Sequence, residues 1–308
     1  MRRRALIGLV AAAALALAGC GGAEPTAEKS RPSGGNFPVT VNGAAGKVVL
    51  NERPARIVSL SPTTTEMLYA VGAGEQVTAV DELSNYPKQA PRTRLSGFKP
   101  NADAIAGYEP DLVVLSFDAN KVVDGLKKLK IPVYVAPAAA TLDDSYQQIK
   151  DLGKLTGRDA AAAGVVKELK TEIDKLIKGL PKPERRLTYY YELDPQLHSV
   201  TSKTFIGSLL SLAGLDNIAD EADKDGSGYP QVSSEHVVDS NPDLIFLADT
   251  KCCAQSPKSV AKRPGWGKLT AVTGGHVVAL DDDIASRWGP RVVDLLRVMS
   301  QAVAKASA

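Results

Sequence analysis

The chain of 308 residues is 44% hydrophobic and 5% aromatic, and it carries 37 basic and 35 acidic side chains. It is long enough to bury one large core or two ordinary ones, and it lacks the composition of a disordered protein. The net charge of +2 depends on Arg2, Arg3 and Arg4, which we expect to be removed; without them, 34 basic side chains face 35 acidic ones. The scarcity of aromatic residues and the absence of a basic stripe exclude a nucleic-acid-binding protein.

Residues 1–19 have the layout of an export signal peptide. Three arginines precede an apolar run over residues 5–18, which is shorter than a bilayer-spanning helix requires. The run leads into LAGC, which resembles the lipobox of bacterial lipoproteins, where the cysteine, here Cys20, is lipidated and becomes the first mature residue. An ordinary cleaved signal with a chance cysteine is the alternative. Residues 20–38 are rich in Gly, Pro, Ser and charge, and predict a flexible tether.

From residue 39 onward, short apolar runs alternate with helix-forming segments. Strands separated by helices predict an α/β fold with mainly parallel sheets covered on both faces. We predict an N-terminal lobe at 39–140, linking helices at 141–180 and a C-terminal lobe at 181–308. The segments that carry this alternation are RIVSLSP (56–62), TTTEMLYAVGAG (63–74), VTAVDE (77–82), a helix at 101–107, a strand at 111–116, VVDGLKKLK (122–130), IPVYVAP (131–137), RRLTYYYEL (185–193), FIGSLLSLAGL (205–215), VAKRPGWGKLTAV (260–272), HVVALDD (276–282) and GPRVVDLLRVMSQAVAKA (289–306).

One segment of the chain is repeated about 130 residues later. NADAIAGYEPDLVVLS (101–116) aligns without a gap with SSEHVVDSNPDLIFLA (233–248), and each copy predicts a short helix, a proline and a buried strand. Asp103 and Glu235 fall at the same position in the first turn of the two helices. The repeat therefore predicts an equivalent unit in each lobe.

Residues 158–179 predict one long helix between the lobes. The segment is strongly helix-forming, and at 1.5 Å per residue it is roughly 33 Å long. A single rigid helix differs from the flexible strands that hinge many binding clamps. We therefore expect no large closing motion.

With Cys20 taken by lipid, Cys252 and Cys253 are the remaining cysteines. Free thiols are disfavoured in an oxidising compartment, so we predict that these neighbours form a vicinal disulfide. A soft-metal ligand pair is the alternative, but such sites space their cysteines and add further Cys or His ligands nearby. The sequence offers none, and no metal site is predicted.

The sequence contains no recognisable catalytic motif. It has no G-x-S-x-G elbow, phosphate-binding P-loop or H-E-x-x-H helix, and His198, His236 and His276 are far apart. The glycines of VGAGEQV follow a predicted helix instead of a strand, so Gly72 is expected to end that helix and not to bind a dinucleotide. The sequence therefore assembles no nucleophile with its base, and neither an enzyme nor a cofactor is predicted.

Several motifs in a fixed order resemble the periplasmic binding proteins of ABC importers for iron-siderophores, haem and cobalamin. They are the lipobox, RIVSLSPTTTEMLYAVGAG (56–74), NYP (85–87), both PDL repeats and DDDIASRWGPR (281–291). The resemblance covers residues 53–308, and its ferric-siderophore, FecB-like branch is the best match. It implies two Rossmann-like lobes joined by one long helix, with a ligand cleft between the lobes.

The resemblance also implies a set of ligand-contacting residues. Arg287 is the strongest candidate, because a guanidinium donates in bidentate fashion to the oxygens of a ferric carboxylate, catecholate or hydroxamate complex. Aromatic side chains around it would cover the apolar body of the ligand. The further candidates are Phe98, Phe117, Tyr229, Trp288 and Asp283.

Each candidate has a structural alternative. The three Phe and Tyr residues are also suited to a hydrophobic core, and Trp288 is suited to the start of the last helix. Arg287 can instead pair with the acidic residues 281–283. Cobalamin binders of the family present tryptophans at several of these places, where this chain has Phe and Tyr. The sequence therefore disfavours a corrin ligand.

The predicted function is capture of a ferric-siderophore and its delivery to an ABC permease and its ATPase subunits. The protein is predicted to be a monomer that is lipid-anchored at the outer face of the cytoplasmic membrane. Haem or cobalamin capture is the alternative within the class, and an exported two-lobe α/β enzyme is a more remote one. In the family, a carboxylate from each lobe meets permease arginines, which gives this role to Asp103 and Glu235. Asp103 departs from the usual glutamate, and acids in a first helical turn also complement the helix dipole.

Overall fold

The protein is described by a computed structural model over residues 36–308. The predicted signal peptide, the lipidation site at Cys20 and nearly all of the predicted tether lie outside the described residues. Within 36–308, every helix is too short or too polar to span a bilayer.

The described chain opens with an unpredicted β-hairpin. Strands β1 (Val39–Gly43) and β2 (Gly46–Leu50) pair antiparallel, and their buried side chains join the main hydrophobic core. Two alternating apolar segments on either side of a short Gly-containing turn are the signal for such a hairpin. The described region therefore begins with this hairpin and not with the first parallel strand.

Two four-stranded parallel sheets, one in each half of the described chain, confirm the predicted α/β class. The strand order is β4-β3-β5-β6 in the first sheet and β8-β7-β9-β10 in the second, so the two sheets share one topology. The strands are β3 (Ile57–Leu60), β4 (Val77–Val80), β5 (Leu112–Leu115), β6 (Val133–Val135), β7 (Thr188–Glu192), β8 (Asp216–Asn217), β9 (Leu244–Leu247) and β10 (Val277–Ala279).

Helices surround and link the sheets. In chain order they are α1 (Pro62–Ala70), α2 (Ala102–Ala106), α3 (Val122–Lys128), α4 (Leu142–Thr156), α5 (Asp159–Lys178), α6 (Phe205–Leu212), α7 (Ser234–Ser240), α8 (Thr250–Cys253), α9 (Pro257–Ala261), α10 (Thr270–Thr273), α11 (Asp282–Ala285) and α12 (Val292–Ala306).

The long helix predicted between the lobes is α5. Its 20 residues span about 30 Å, and it packs against α4 and the C-terminal helix α12. Buried side chains of all three helices belong to one hydrophobic core that also includes strands of both sheets. The two halves of the chain are therefore joined by shared core packing as well as by the chain connection.

The sequence repeat is reproduced in three dimensions with one constant offset. Ile57 pairs with Leu112 in the first sheet, and Tyr189 pairs with Leu244 in the second. Tyr189 lies 132 residues after Ile57, and Leu244 lies 132 residues after Leu112. Helix α2 precedes β5 as α7 precedes β9. The two copies are therefore structural equivalents as well as sequence repeats.

The aspartate of each PDL motif fixes the start of the neighbouring strand. In the first copy, Asp111 N donates to Arg56 O at 2.8 Å, and Asp111 Oδ2 accepts from Arg56 N at 2.8 Å. In the second copy, Asp243 N donates to Thr188 O at 3.0 Å, and Asp243 Oδ2 accepts from Thr188 N at 2.8 Å. The repeated motif therefore encodes a reciprocal hydrogen-bonded pair between adjacent strands.

The start of α1 differs from the prediction. Its N-cap is Ser61, followed by Pro62 at the first helical position, whereas the segment predicted from the sequence begins at residue 63. Proline fits the first position because its fixed φ suits the helix and its missing N–H has no partner there. Gly72, with a φ of +77°, follows the end of the helix, in the place expected from the sequence.

Candidate ligand-binding site

A cavity of about 480 Å³ opens at the carboxyl ends of the strands in the first sheet. Ligands of parallel α/β sheets bind outside this end of the strands. One side is formed by residues at or after the ends of β3, β4, β5 and β6, and the other by residues 283–288, which begin in α11 and lead to α12. The lining residues are Leu60, Ser61, Pro62, Thr63, Asp81, Leu83, Gly97, Phe98, Ser116, Phe117, Pro137, Ala138, Asp283, Ser286, Arg287 and Trp288.

Phe98 and Phe117 form an aromatic wall of this cavity. Their ring centroids lie 6.0 Å apart with the planes tilted by 46°, and the residues are 65% and 45% exposed. Large exposed apolar surface in a folded domain is typical of a site that a ligand or partner covers. The third predicted aromatic residue, Tyr229, is 54% exposed and does not line this cavity.

Arg287 lines the cavity, but protein groups hold its guanidinium. The residue is only 6% exposed, and its Nη1 donates to Glu66 Oε1 at 2.6 Å. Its Nη2 donates to Asp283 Oδ1 at 2.9 Å and to Asn85 Oδ1 at 3.1 Å. The geometry favours the alternative in which Arg287 pairs within the protein, and it adds Glu66, 221 residues away in the chain.

Glu66, a buried residue of α1, is shared by two arginines. Besides the bond from Arg287, it accepts hydrogen bonds from Arg291 Nε at 2.9 Å and Arg291 Nη2 at 2.6 Å. These bonds raise the pKa of Arg291 above its ordinary value. The Arg291 guanidinium also lies 4.3 Å from the ring centroid of Tyr86. The cluster therefore joins α1 of the first lobe to the segment that precedes α12.

Trp288 is fixed against the linking helix α4. Its Nε1 donates to Gln148 Oε1 at 2.8 Å, and its carbonyl oxygen accepts from Ser145 Oγ. The N-cap of α12 is Arg291, so Trp288 does not cap that helix. Its indole instead forms part of the cavity wall.

Asp283 is also held by several donors. Its Oδ2 accepts from Asn85 Nδ2 at 3.0 Å and from Lys251 Nζ at 2.7 Å, in addition to the bond that Oδ1 accepts from Arg287. Burial acts to raise the pKa of Asp283, but the hydrogen bonds from Lys251 and Asn85 outweigh it and lower the pKa. Asp283 is therefore a charged, internally compensated part of the wall.

Replacing Arg287 with alanine is expected to lower the free energy of unfolding by about 2–3 kcal/mol, because buried acceptors lose their donor while Glu66 keeps Arg291. Urea unfolding followed by circular dichroism measures the change. The control is Arg297→Ala, whose 2.7 Å pair with Asp294 is half-exposed and should contribute less than about 1 kcal/mol. Equal effects of the two substitutions would contradict a structural role for Arg287.

Two polar groups of the cavity wall were not among the predicted site residues. Asp81 follows β4 and is only 3% exposed, with Oδ1 accepting from Ser84 Oγ and Oδ2 from Leu83 N at 3.3 Å. Ser116 follows β5, and its Oγ is buried without a hydrogen-bond partner among residues 36–308. The predicted strands 77–82 and 111–116 included both residues, whereas the observed strands end just before them. Both residues therefore lie at the carboxyl strand ends, where ligands of such sheets bind.

The equivalent strand ends of the second sheet carry a buried charge cluster. Glu192 ends β7 and Asp249 follows β9, and both are fully buried. They stand 132 residues after Leu60 and Phe117, which line the cavity in the first lobe. Arg263 donates two hydrogen bonds of 2.6 Å to Glu192. Burial, followed by the nearby charge of Glu192, raises the pKa of Asp249 to about 7.

Asp249→Asn is expected to stabilise the protein at pH 8 and to have a much smaller effect at pH 4.5. The folded chain keeps the Asp249 proton up to about pH 7, whereas the unfolded chain releases it near pH 3.9. The free energy of unfolding of the wild type should therefore fall as pH rises across this interval. Urea unfolding at several pH values tests this, with the exposed Glu168→Gln as control. A variant profile parallel to that of the wild type would refute the assignment.

Cys252 and Cys253 are joined by a disulfide between adjacent residues at the end of α8. Asp282 accepts hydrogen bonds of 2.8 to 3.0 Å from three consecutive backbone N–H groups at the start of this helix, residues 250–252. Because Asp282 directly precedes Asp283, these hydrogen bonds connect α8, which carries the disulfide, to residues 283–288 on one side of the cavity.

Asp103 and Glu235 occupy equivalent places in α2 and α7. The N-caps of these helices, Asn101 and Ser233, each accept a hydrogen bond from the backbone N–H three residues further on. Both acidic residues are exposed, and neither has an ion pair or side-chain hydrogen bond within the described residues. They are therefore available to a partner.

Similarities to known proteins agree with this geometry. A family model described as "Periplasmic binding protein" matches residues 57–284. YvrC of Bacillus subtilis, described as an uncharacterized ABC transporter substrate-binding lipoprotein, is 30% identical over 302 residues, covering 94% of each chain. A cobalamin-binding protein of Halobacterium salinarum is 30% identical over 281 residues, covering 87% of this chain and 74% of its own. A solved structure from Staphylococcus epidermidis, described as a possible iron-binding (periplasmic solute-binding) protein, matches with a TM-score of 0.71 at 27% identity, covering 82% of this chain and 99% of its own.

Proposed function

Because the chain belongs to the periplasmic binding protein family, whose members are binding proteins of ABC transporters and not enzymes, we propose that it captures a large metal chelate in the cavity beside Phe98 and Phe117. The similarities to a cobalamin-binding protein and to a possible iron-binding protein support a ligand of this kind. The charge of the cavity wall favours a corrinoid over an anionic ferric-siderophore.

The wall offers no uncompensated positive charge among its described residues. Its guanidinium, Arg287, is balanced by Glu66 and Asp283, and Asp81 adds a further carboxyl group. An anionic ligand would therefore leave water for a mostly apolar site without gaining a free cation, which is unfavourable. The sequence favoured an anionic siderophore because Arg287 was expected to face the ligand. Since Arg287 is paired within the protein, it no longer supports that ligand.

A corrinoid matches the same wall better. Its broad macrocycle has apolar faces, on which Phe98, Phe117 and Trp288 can pack, and neutral amides at its rim, which can bond to a few polar groups. The cobalamin-binding relative from Halobacterium salinarum supports the same ligand class. The single observation that carries the proposal is an apolar, aromatic cavity whose one arginine is already neutralised.

A neutral ferric-siderophore is the second candidate, favoured by the similarity to the possible iron-binding protein of Staphylococcus epidermidis. The iron centre of a ferric trihydroxamate carries no net charge, so this ligand does not need a free positive charge in the cavity wall. Haem is less suited, because its iron takes His, Cys, Met or Tyr as axial ligands. None of these residue types is among the described residues that line the cavity.

Titration calorimetry with cyanocobalamin, a ferric trihydroxamate, a ferric tricatecholate and haem tests the proposal. We expect saturable binding of cyanocobalamin, with quenching of tryptophan fluorescence. Trp288 lines the cavity, whereas Trp266 is fully buried in the second lobe, so Trp288→Phe should remove most of the quenching. Tight binding of the tricatecholate alone would contradict the argument from charge.

We further propose that Asp103 and Glu235 dock the protein onto an ABC permease. The two exposed carboxylates lie in equivalent helices, one in each half of a repeated fold, and such a pair can meet two equivalent permease subunits. Guanidinium groups of the permease are suited partners for them. The lipid on Cys20 would hold the protein at the outer face of the cytoplasmic membrane as a monomer, close to the permease and its ATPase subunits.

The double change Asp103→Ala and Glu235→Ala is expected to leave calorimetric ligand affinity unchanged and to abolish ligand uptake by cells. The matched control replaces Asp124 and Asp239, which are likewise exposed, and should leave uptake intact. Acids that only complement helix dipoles contribute about 0.3–1 kcal/mol each, so a slightly lower melting temperature with normal uptake would sink the docking proposal.

A further inference from the structure

Asp81 is an acidic side chain built into the wall of an otherwise largely apolar cavity. It follows β4, and its backbone N donates to Ser59 O of the neighbouring strand β3 at 3.1 Å. It also forms a parallel bridge with Leu95. The residue is 97% buried and lines the cavity, and its Oδ2 lies beside Gly97, another lining residue. Its position is therefore fixed by the sheet and not by a mobile loop.

The carboxyl group of Asp81 has unused acceptor capacity. An ionised carboxylate has about four acceptor positions, yet among the described residues Oδ2 accepts only a 3.3 Å bond from Leu83 N. Gly97 keeps the space beside this oxygen open: a Cβ at position 97 would lie 3.5 Å from Oδ2 and 2.8 Å from Leu60 O. The open side of Asp81 is therefore a property of the wall.

Buried hydroxyl groups hold the other side of Asp81. Ser84 Oγ donates to Oδ1 and lies 2.9 Å from Thr65 Oγ1. Thr65 in turn donates to Ser59 Oγ at 2.9 Å. A side chain that is positioned in this way loses little conformational freedom when a ligand binds. The network therefore prepares Asp81 to meet a ligand group without rearrangement.

A second unpaired polar group lies across the floor of the cavity. Ser116 follows β5, and its Oγ has no hydrogen-bond partner in the described part of the chain. Strand β3 lies between β4 and β5, so the two polar groups stand two strand spacings apart, roughly 10 Å. Leu60 at the end of β3 and the residues that follow it line the cavity between them. A broad ligand with polar groups at opposite edges matches this arrangement.

We propose that Asp81 selects ligands by charge: it accepts a hydrogen bond from a neutral N–H or O–H donor at the ligand edge and excludes ligands whose edge there is anionic. Ser116 contributes a second hydrogen bond at the opposite edge. The inference rests on the proposed function of the same cavity, and it extends that function from a class of chelate to the charge of the group that is recognised.

Burial supports this role, since it raises the pKa of Asp81 even though the hydrogen bond from Ser84 acts in the other direction. An ionised carboxyl group in this position lacks part of the solvation it has in water. A neutral donor on the ligand replaces some of that solvation, whereas a ligand carboxylate or catecholate adds like-charge repulsion.

Two pairs of probes separate ligand charge from ligand identity. Cyanocobalamin is compared with its separated monocarboxylic acids, in which one rim amide is replaced by a carboxylate, and a neutral ferric trihydroxamate is compared with an anionic ferric tricatecholate. The wild type should bind cyanocobalamin about tenfold more tightly than at least one of the monocarboxylic acids. Equal affinities for all of them would overturn the inference without any variant.

Asp81→Asn should narrow this ratio to within about threefold, because a neutral amide no longer repels the ligand carboxylate. The control Glu82→Gln removes an exposed charge at the next residue and should leave the ratio unchanged. Circular dichroism verifies that both variants fold. A ratio that is unaltered in folded Asp81→Asn would overturn the role of Asp81 while leaving corrinoid capture intact.

The ferric probes decide the case in which the wild type binds no corrinoid. A preference for the neutral trihydroxamate that disappears in Asp81→Asn would refute corrinoid capture and uphold charge selection by Asp81. A preference for the anionic tricatecholate would overturn the inference. Failure of the folded wild type to bind any of the probes would overturn the proposed function and this inference together.

Discussion

The sharing of one buried carboxylate by two arginines is the interaction on which the site depends. Glu66 of α1 accepts from Arg287 and Arg291, which lie on the other side of the cavity in the segment before α12. Separating these charges would leave them buried and unpaired, which is far more costly than losing an exposed ion pair. The two sides of the cavity are therefore held at a fixed distance. The Arg287 guanidinium is used for this internal pairing and not for binding a ligand.

The lobes share a backbone plan but differ where their strands end. Equal register and strand order, with reciprocal Asp bonds at both PDL motifs, give the two sheets one geometry. Leu60 and Phe117 stand at the open strand ends of the first sheet, whereas Glu192 and Asp249 stand at the equivalent ends of the second. Arg263 donates its hydrogen bonds to Glu192 of this pair. An apolar end can receive a ligand by desolvation alone, whereas a buried acidic end needs its own counter-ion, so of the two sheets in residues 36–308 the first is the one suited to an open, apolar site.

Periodicity and the repeat predicted the fold class, the parallel sheets, the long helix and most element positions, because these depend on local patterns of apolar residues. Phe98, Phe117 and Trp288 were placed at the cavity by resemblance. Asp283 was among the partners that the sequence offered for Arg287, but Glu66 was not predictable, since it is distant in sequence and resembles an ordinary helical residue locally. Asp81 was missed for a different reason: it lay near the end of a predicted strand, but its burial depends on how Gly97 and the strands pack around it.

Specificity in this cavity follows from its rigidity. Helix α5 packs against α4 and α12. The ion pairs of Glu66 with Arg287 and Arg291 add a second connection, between α1 and the segment that precedes α12. A site that cannot rearrange its charges cannot supply a counter-ion after a ligand has entered. The charges of the unliganded wall therefore determine which ligands bind. Discrimination then results from what the fixed wall disfavours, as much as from the contacts it offers. Under the proposed function, a mostly apolar wall with compensated charges would admit neutral chelates of several shapes, and its few open acceptors would select among them by the charge at the ligand edge.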